Sequence, residues 1–189
     1  MNKYLKVSLT LATIASGSAL LIGLTNLATY GFIQVNREKK INDGISKLYP
    51  QVTGYGIHVF LAPDDEKYEP EFDAVRFPHI NELYHVEWKE NGENVRHYVY
   101  NTSGKNAYGQ VDLLIAVGGG KVEQMYVVTN TESYGPTLED NYINKYNNGY
   151  LTDLADVKCG ATYGAKTVKE QCDEALAHWT AFYANKEGI

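Results

Sequence analysis

Hydrophobic and polar positions divide this chain into two regimes. From Val7 to Asn36 no residue is charged and most are apolar. A helix that crosses a bilayer needs about 20 such residues, whereas the apolar part of a cleavable signal is about 7–15 residues long and ends at a small-residue site. The run is longer than a signal needs, and Asn26-Leu27-Ala28 is a poor cleavage site. The pattern predicts a retained span over roughly Leu9 to Phe32. No cysteine precedes Cys159, which excludes a bacterial lipid anchor on an N-terminal cysteine. After the span, Arg37-Glu38-Lys39-Lys40 leads into Ile41, Ile45 and Leu48 at helical spacing, so a short amphipathic helix is expected to stop near Pro50.

Beyond Gly54 the period changes from helical to alternating. Ile57 to Leu61 reads as a strand, and Ala62-Pro63-Asp64-Asp65-Glu66 as a turn. Leu83 to Lys89 and Asn94 to Asn101 flank Asn91-Gly92, a strong two-residue hairpin signal. That register sets Glu87 opposite Arg96 and Trp88 opposite Val95, both favourable cross-strand pairs. It also sets His85 opposite Tyr98 and His97 opposite Val86, which puts the two histidines on opposite faces. A second hairpin is predicted across Gly118-Gly119-Gly120, joining Gln110–Val117 to Lys121–Thr129. Finally, Ala165 to Lys186 reads as a helix, with Val168, Cys172, Leu176, Trp179 and Tyr183 on one apolar face.

These elements predict an α+β fold: an antiparallel β-sheet with packed helices, preceded by one N-terminal transmembrane helix. The expected organisation is an anchor segment over 1–36, a connecting amphipathic helix over 37–53 and a folded domain over 54–189. Lys3 and Lys6 are the only charges in the first 36 residues, so the rest of the chain holds 15 of the 17 basic and all 23 acidic residues, a formal charge of −8. A nucleic-acid-binding face would need the opposite sign. Cys172, on a helix starting near Thr162, would lie on the order of 15–20 Å from Cys159, and a disulfide needs Cα atoms about 4.4–6.8 Å apart. No bridge is expected, and with no Cys-x-x-Cys pair neither a structural zinc nor an iron–sulfur site has support.

Candidate chemistry concentrates in Asp156-Val157-Lys158-Cys159-Gly160-Ala161-Thr162, at the mouth of the last predicted helix. A helix N-terminus offers unpaired N–H groups and the positive end of the macrodipole, which favour a phosphate. Gly160 and Ala161 let it approach the backbone, and Thr162 supplies a hydroxyl. The amides of Gly164 and Ala165 are candidates to stabilise the added charge. Asp156 would either orient a metal or phosphate or cap a local turn. Lys166 would either offset the phosphate charge or stay a solvated helix residue.

The stretch resembles the attachment motif of the FMN-binding domain family, which includes the G subunit of Rnf and the C subunit of Nqr electron-transport complexes. The family pattern is roughly Asp-x-x-Ser/Thr-Gly-Ala-Thr; Cys159 stands here where Ser or Thr is usual. Further resemblance lies in Leu24-Thr25-Asn26, in Tyr108-Gly109-Gln110-Val111 followed by Leu113–Val117, and in Thr131-Glu132-Ser133-Tyr134-Gly135. The last falls where the family has Glu-Thr-Pro-Gly beside the flavin; Glu132 and Gly135 are kept, while Ser133 and Tyr134 replace Thr and Pro. The resemblance implies covalent FMN on Thr162 through a phosphoester, installed by a flavin transferase. It also implies Glu132, Ser133, Tyr134 and Tyr108 near the ring, Gly135 in the same segment, a cytoplasmic N-terminus and a domain facing outside the cytoplasm. The flanking charges do not decide the orientation by themselves.

Two settings follow from the resemblance: a subunit bound to membrane partners in an Rnf/Nqr-like ion-translocating complex, or a free-standing extracellular electron-transfer flavoprotein. A flavin-free binding module on the same fold remains an alternative of another class, and a secreted metal-binding domain a third. His58, His79, His85 and His97 invite the metal reading, but the hairpin register separates His85 from His97 and no paired ligand spacing accompanies them. A serine nucleophile lacks the Gly-x-Ser-x-Gly elbow.

Overall fold

In the computed structural model the described residues are 3–52, 54–90, 92–154 and 158–184. The chain divides into two units, residues 1–40 and 41–189. Helix α1, Lys3–Leu48, contains the uncharged run and is long and apolar enough to cross a membrane. Its polar residues suit that environment: Thr10, Thr13, Thr25 and Thr29 each donate a hydroxyl hydrogen bond to the carbonyl four residues back. The side-chain O–H is thereby paired without water. The amphipathic helix expected over 37–53 is the last part of α1 and not an element of its own. Arg37 to Lys40 are good helix formers, and the helical ladder continues through them to Leu48.

Residues 41–184 form an α+β domain around a five-stranded antiparallel sheet in chain order: β1 (Tyr55–Val59), β2 (Ile80–Glu90), β3 (Glu93–Asn106), β4 (Gly109–Gly118) and β5 (Lys121–Asn130). The β2–β3 register pairs Glu87 with Arg96, Trp88 with Val95, His85 with Tyr98 and Val86 with His97, as the sequence predicts. Asn91 itself lies outside the described residues. The β4–β5 hairpin closes at the Gly118–Lys121 pair, and the two loop glycines have φ of 57° and 74°, the doubly positive conformation of a type I′ turn. After β5 come α2 (Gly135–Leu138), a π-helical turn (Glu139–Ile143) and α3 (Asn144–Asn147). This segment covers the exposed edge of β5. The Asn147 amide side chain exchanges both hydrogen bonds with the main chain of Met125, and Tyr146 donates to the Val122 carbonyl.

Both faces of the central strands are buried. On one face Leu83, Tyr98, Tyr100, Leu113, Ile115 and Val117 meet the last helix, α4 (Thr162–Phe182), through Ala165, Val168, Cys172, Ala175 and Trp179. On the other, Val86, Val99, Leu114 and Ala116 are covered by Ile41, Ile45 and Tyr49. Both cysteines are free, and Cys172 is fully buried against the Met125 sulfur. Helix α4 starts three residues before the expected Ala165 and ends at Phe182. Tyr183 breaks the helix at φ −125° and turns its ring into the core, 4.4 Å from Tyr98. Residues 185–189 are not described.

Two buried polar residues on α4 tie it to the sheet. Gln171 accepts from the Thr102 hydroxyl at 2.6 Å and donates to the Val111 carbonyl. His178, with no solvent exposure, donates from Nε2 to the Glu71 carbonyl at 2.8 Å, so its Nδ1 accepts from the Tyr100 hydroxyl at 3.0 Å. Burial holds the imidazole down at about 4, from an ordinary 6.5, although the Glu71 carbonyl favours the protonated form. The fold thus refuses a proton that the unfolded chain accepts below 6.5. Stability is full above that pH, falls by about 3 kcal/mol as pH drops toward 4, and levels off below. Denaturant titration at pH 7 and pH 4.5 should show this loss in wild type and a smaller one in His178→Gln.

Candidate functional site

Gly160 enters α4 at φ +87°, a left-handed conformation that a side chain would strain. Ala161 then occupies the N-cap position, buried, with no side-chain cap. The first helical bond runs from Ala165 N–H to Ala161 O at 2.9 Å. The amides of Thr162, Tyr163 and Gly164 therefore precede the ladder and have no hydrogen-bond partner among the described residues. The Ala165 amide, expected to serve a phosphate, is already used. Thr162 is exposed at the first helical position, and its hydroxyl has no hydrogen-bond partner among the described residues.

A cleft of about 210 Å³ opens beside it, lined by Tyr108, Glu132, Tyr134, Gly160, Ala161, Thr162, Tyr163 and Gly164. Three distant segments converge there: the β3–β4 turn, the loop after β5 and the first turn of α4. Tyr108, Tyr134 and Tyr163 are 43%, 53% and 60% exposed. The Tyr108 ring centroid is 6.1 Å from Tyr134 and 5.2 Å from Tyr163. Three solvent-facing phenol rings around one cleft form an apolar surface suited to a flat aromatic ligand. Periodicity gave no reason to single out Tyr163: in a chain with 16 tyrosines, the one following Thr162 carries no local signal.

Below the cleft lies a polar node. Asn106 donates from Nδ2 to Glu132 Oε1 at 2.6 Å and to Thr167 Oγ1 at 3.1 Å, and its Oδ1 accepts from the Tyr108 amide at 2.8 Å. Thr167 in turn donates to the Tyr163 carbonyl. Glu132 is only 7% exposed. Its main chain is held by the Asn130 side chain and by the Gly135 amide. Asn106 and Thr167 were not legible as site residues, because their partners are distant in sequence.

The remaining expected residues fall into two groups. Glu132, Gly160, Ala161, Thr162 and Gly164 are brought together, with Tyr108 and Tyr134. Ser133 is not: its amide and hydroxyl both face the Tyr108 carbonyl, fixing the loop rather than lining the cleft. Gly135 is buried under the Asn130 side chain. Cys159 lines a different cleft of about 270 Å³ with Asn141, Tyr142, Lys145, Leu151 and Lys158. Lys166 extends along the helix surface to Glu170 at 3.8 Å, on a largely exposed side chain. Asp156 lies outside the described residues.

No protein-family model matches the chain, and no curated protein matches it in sequence. The assignment of chemistry therefore rests on the cleft and its residues. The histidines lie elsewhere. His79 pairs with Glu174 and His97 with Glu123, on separate elements, while His58 stacks on Phe72 next to His85. Among the described residues no three His, Cys, Asp or Glu side chains converge as a metal site would need.

Gly164 is the steric keystone of the cleft. A Cβ there would collide with the Glu132 carboxylate and with Leu138. Gly164→Ala should lower stability by about 1–3 kcal/mol, the usual range for overpacking. Thermal and denaturant melts would measure it, and an unchanged melt would mean the loop carrying Glu132 moves freely.

Proposed function

We propose that this chain is a membrane-anchored flavoprotein that carries FMN on Thr162 through a phosphoester and relays electrons, as a subunit of an Rnf/Nqr-like ion-translocating complex. The observation that carries the reading is the exposed, unengaged Thr162 hydroxyl at a helix N-terminus, on the rim of an aromatic cleft. The family resemblance of residues 156–162 points to the same threonine.

The residues present fit that group. Thr162 would hold the group through its Oγ1, which would replace the leaving group on phosphorus; the bonding pair would go to that leaving group and the hydroxyl proton to a base of the transferase or to water. The free amides of Thr162, Tyr163 and Gly164 sit at the positive end of α4 and favour the resulting anionic phosphodiester. Tyr108, Tyr134 and Tyr163 offer faces for the flavin ring. When bound, FMN supplies one- and two-electron transfer, and the protein supplies placement and electrostatics. The size of the cleft supports a tether. Pockets that retain a small molecule by burial are about 300–1,000 Å³; this one is about 210 Å³ and open to solvent. A covalent bond supplies the retention that so small a cleft lacks.

The long apolar part of α1 supports a single-pass anchor; a domain facing outside the cytoplasm rests on the family resemblance alone. A flavin transferase would be the maturation partner, and membrane subunits of the complex the redox partners. Copurification with such subunits favours the complex over a free-standing electron carrier.

The test is flavin fluorescence on a denaturing gel after coexpression with a flavin transferase active on a control substrate. Wild type should give a fluorescent band and Thr162→Val a dark one. Dark bands in both would overturn the flavin reading and leave a flavin-free binding module. A fluorescent Thr162→Val band would place the attachment elsewhere.

A further inference from the structure

The sheet has two edges, and only one is covered. Asn147 and Tyr146 bond to the main chain of β5, whereas β1 is the end strand on the other side. Just past β1 the main chain shows which way each residue faces. Phe60 donates its amide inward to the Asn81 carbonyl at 2.9 Å, and Leu61 donates outward to the Phe72 carbonyl at 3.0 Å. The pairing of β1 with β2 runs unshifted from Tyr55–Val86 to Val59–Glu82 and continues into that Phe60–Asn81 bond. Ile57 and Val59 therefore share the outward sense of Leu61. The Leu61 carbonyl accepts from Ala74, but the outward amides and carbonyls of Ile57 and Val59 have no hydrogen-bond partner among the described residues.

Proteins blunt such an edge with a lysine, a proline, a bulge or a covering segment. Tyr55–Val59 has no charge, no proline and no register shift. Its outward residues are also apolar and open to solvent, Ile57 by 53% and Val59 by 50%. Val75, 69% exposed, follows the stretch that pairs with Leu61. Among the described residues after Lys40, the other exposed large apolar side chains are all tyrosines. The exposed aliphatic side chains thus gather where main-chain groups are left unpaired, the combination that accepts an added strand.

We propose that the β1 edge docks an extended segment of a partner protein, with β-branched side chains at alternate positions and basic residues at the end beside Leu61. The charge follows from the flank: Asp64 to Asp73 holds six acidic residues and one lysine, and this stretch both leaves from Leu61 and returns to pair with it. A second copy would bring the same acidic stretch to a net negative domain, and an anionic lipid surface would be repelled likewise. No residue lining the Thr162 cleft belongs to β1, so the proposal stands apart from the flavin reading.

The experiment uses the full chain in phosphatidylcholine nanodiscs. The probe is a fluorescent peptide of alternating valine and threonine with lysines at one end. Binding is read by anisotropy, the edge by hydrogen exchange at the Ile57 and Val59 amides, and folding by thermal melt. The peptide should bind wild type and slow exchange at both amides. Val59→Pro removes an outward amide without breaking the ladder to β2, and Ile57→Lys adds the charge that natural edges carry. Each should weaken binding by about tenfold or more, the loss of roughly one hydrogen bond or apolar contact, while Ile57→Val should bind as wild type. If either variant melts lower, exchange in the wild type decides alone. No binding, or binding that leaves the two amides unprotected, would overturn the docking site. Equal binding by a peptide with glutamates in place of the lysines would overturn the basic partner. Protection of these amides without peptide would also overturn the proposal: it assigns the edge to a second copy if it deepens with the protein-to-lipid ratio, and to lipid if it does not.

Discussion

Strands β3 and β4 are apolar on both faces, and the rest of the domain follows from the need to cover them. Tyr98, Tyr100, Leu113, Ile115 and Val117 on one face and Val99, Leu114 and Ala116 on the other are all essentially removed from water. Burying such side chains contributes roughly 1.5–3 kcal/mol each for the larger ones. No single helix can reach both sides. Helix α4 takes the first face, and the C-terminal end of α1 with Tyr49 takes the second. The last turns of α1, from Ile41 on, thus belong to the core of the domain. Gly44 shows how close that approach is, since any Cβ there would press into Leu114 and Tyr126.

Covering the first face also decides where chemistry can occur. Once Val168, Cys172, Ala175 and Trp179 are seated on the sheet, the position of α4 is fixed along its length. Its N-terminal turn then projects to the rim, beside the β3–β4 turn and the loop after β5. Gln171 and His178 remove the remaining freedom, because each has partners on other elements at defined distances. Such fully paired polar groups specify an arrangement more sharply than apolar contacts, since a shift would leave buried atoms unpaired. Thr162 therefore sits at a fixed place while its own side chain faces water.

A second polar cluster works on the opposite face. Tyr49 donates to Glu123 at 2.6 Å, and His97 faces the same carboxylate oxygen at 2.8 Å. Burial pushes the Glu123 carboxyl up, but the hydrogen bonds from His97 and Tyr49 outweigh it and hold the group below its ordinary value. The cluster contributes stability at neutral pH that is lost as acid protonates Glu123. It joins the segment after α1 to the β3 and β5 strands, so the packing of Ile41 and Ile45 has a polar clamp beside it.

Local sequence settled the elements that depend on short-range physics. The uncharged run from Val7 to Asn36 is read by length and composition alone. The register of β2 with β3 follows from a two-residue turn and from alternation, which together fix the pairs from Glu90–Glu93 to Glu82–Asn101, before the register shifts at Ile80. The glycines of the β4–β5 turn and the apolar face of α4 are equally local, and so is the glycine-threonine entry to that helix. Tertiary structure alone decided what depends on side chains meeting across the chain. It ended α4 at Tyr183, whose ring packs against Tyr98. It drew Asn106, Glu132 and Thr167 into one node and Tyr163 into the cleft, and it turned Ser133, Cys159 and Lys166 away from it. Sequence spacing carries no information about such encounters, because they are set by how two faces of a sheet are covered.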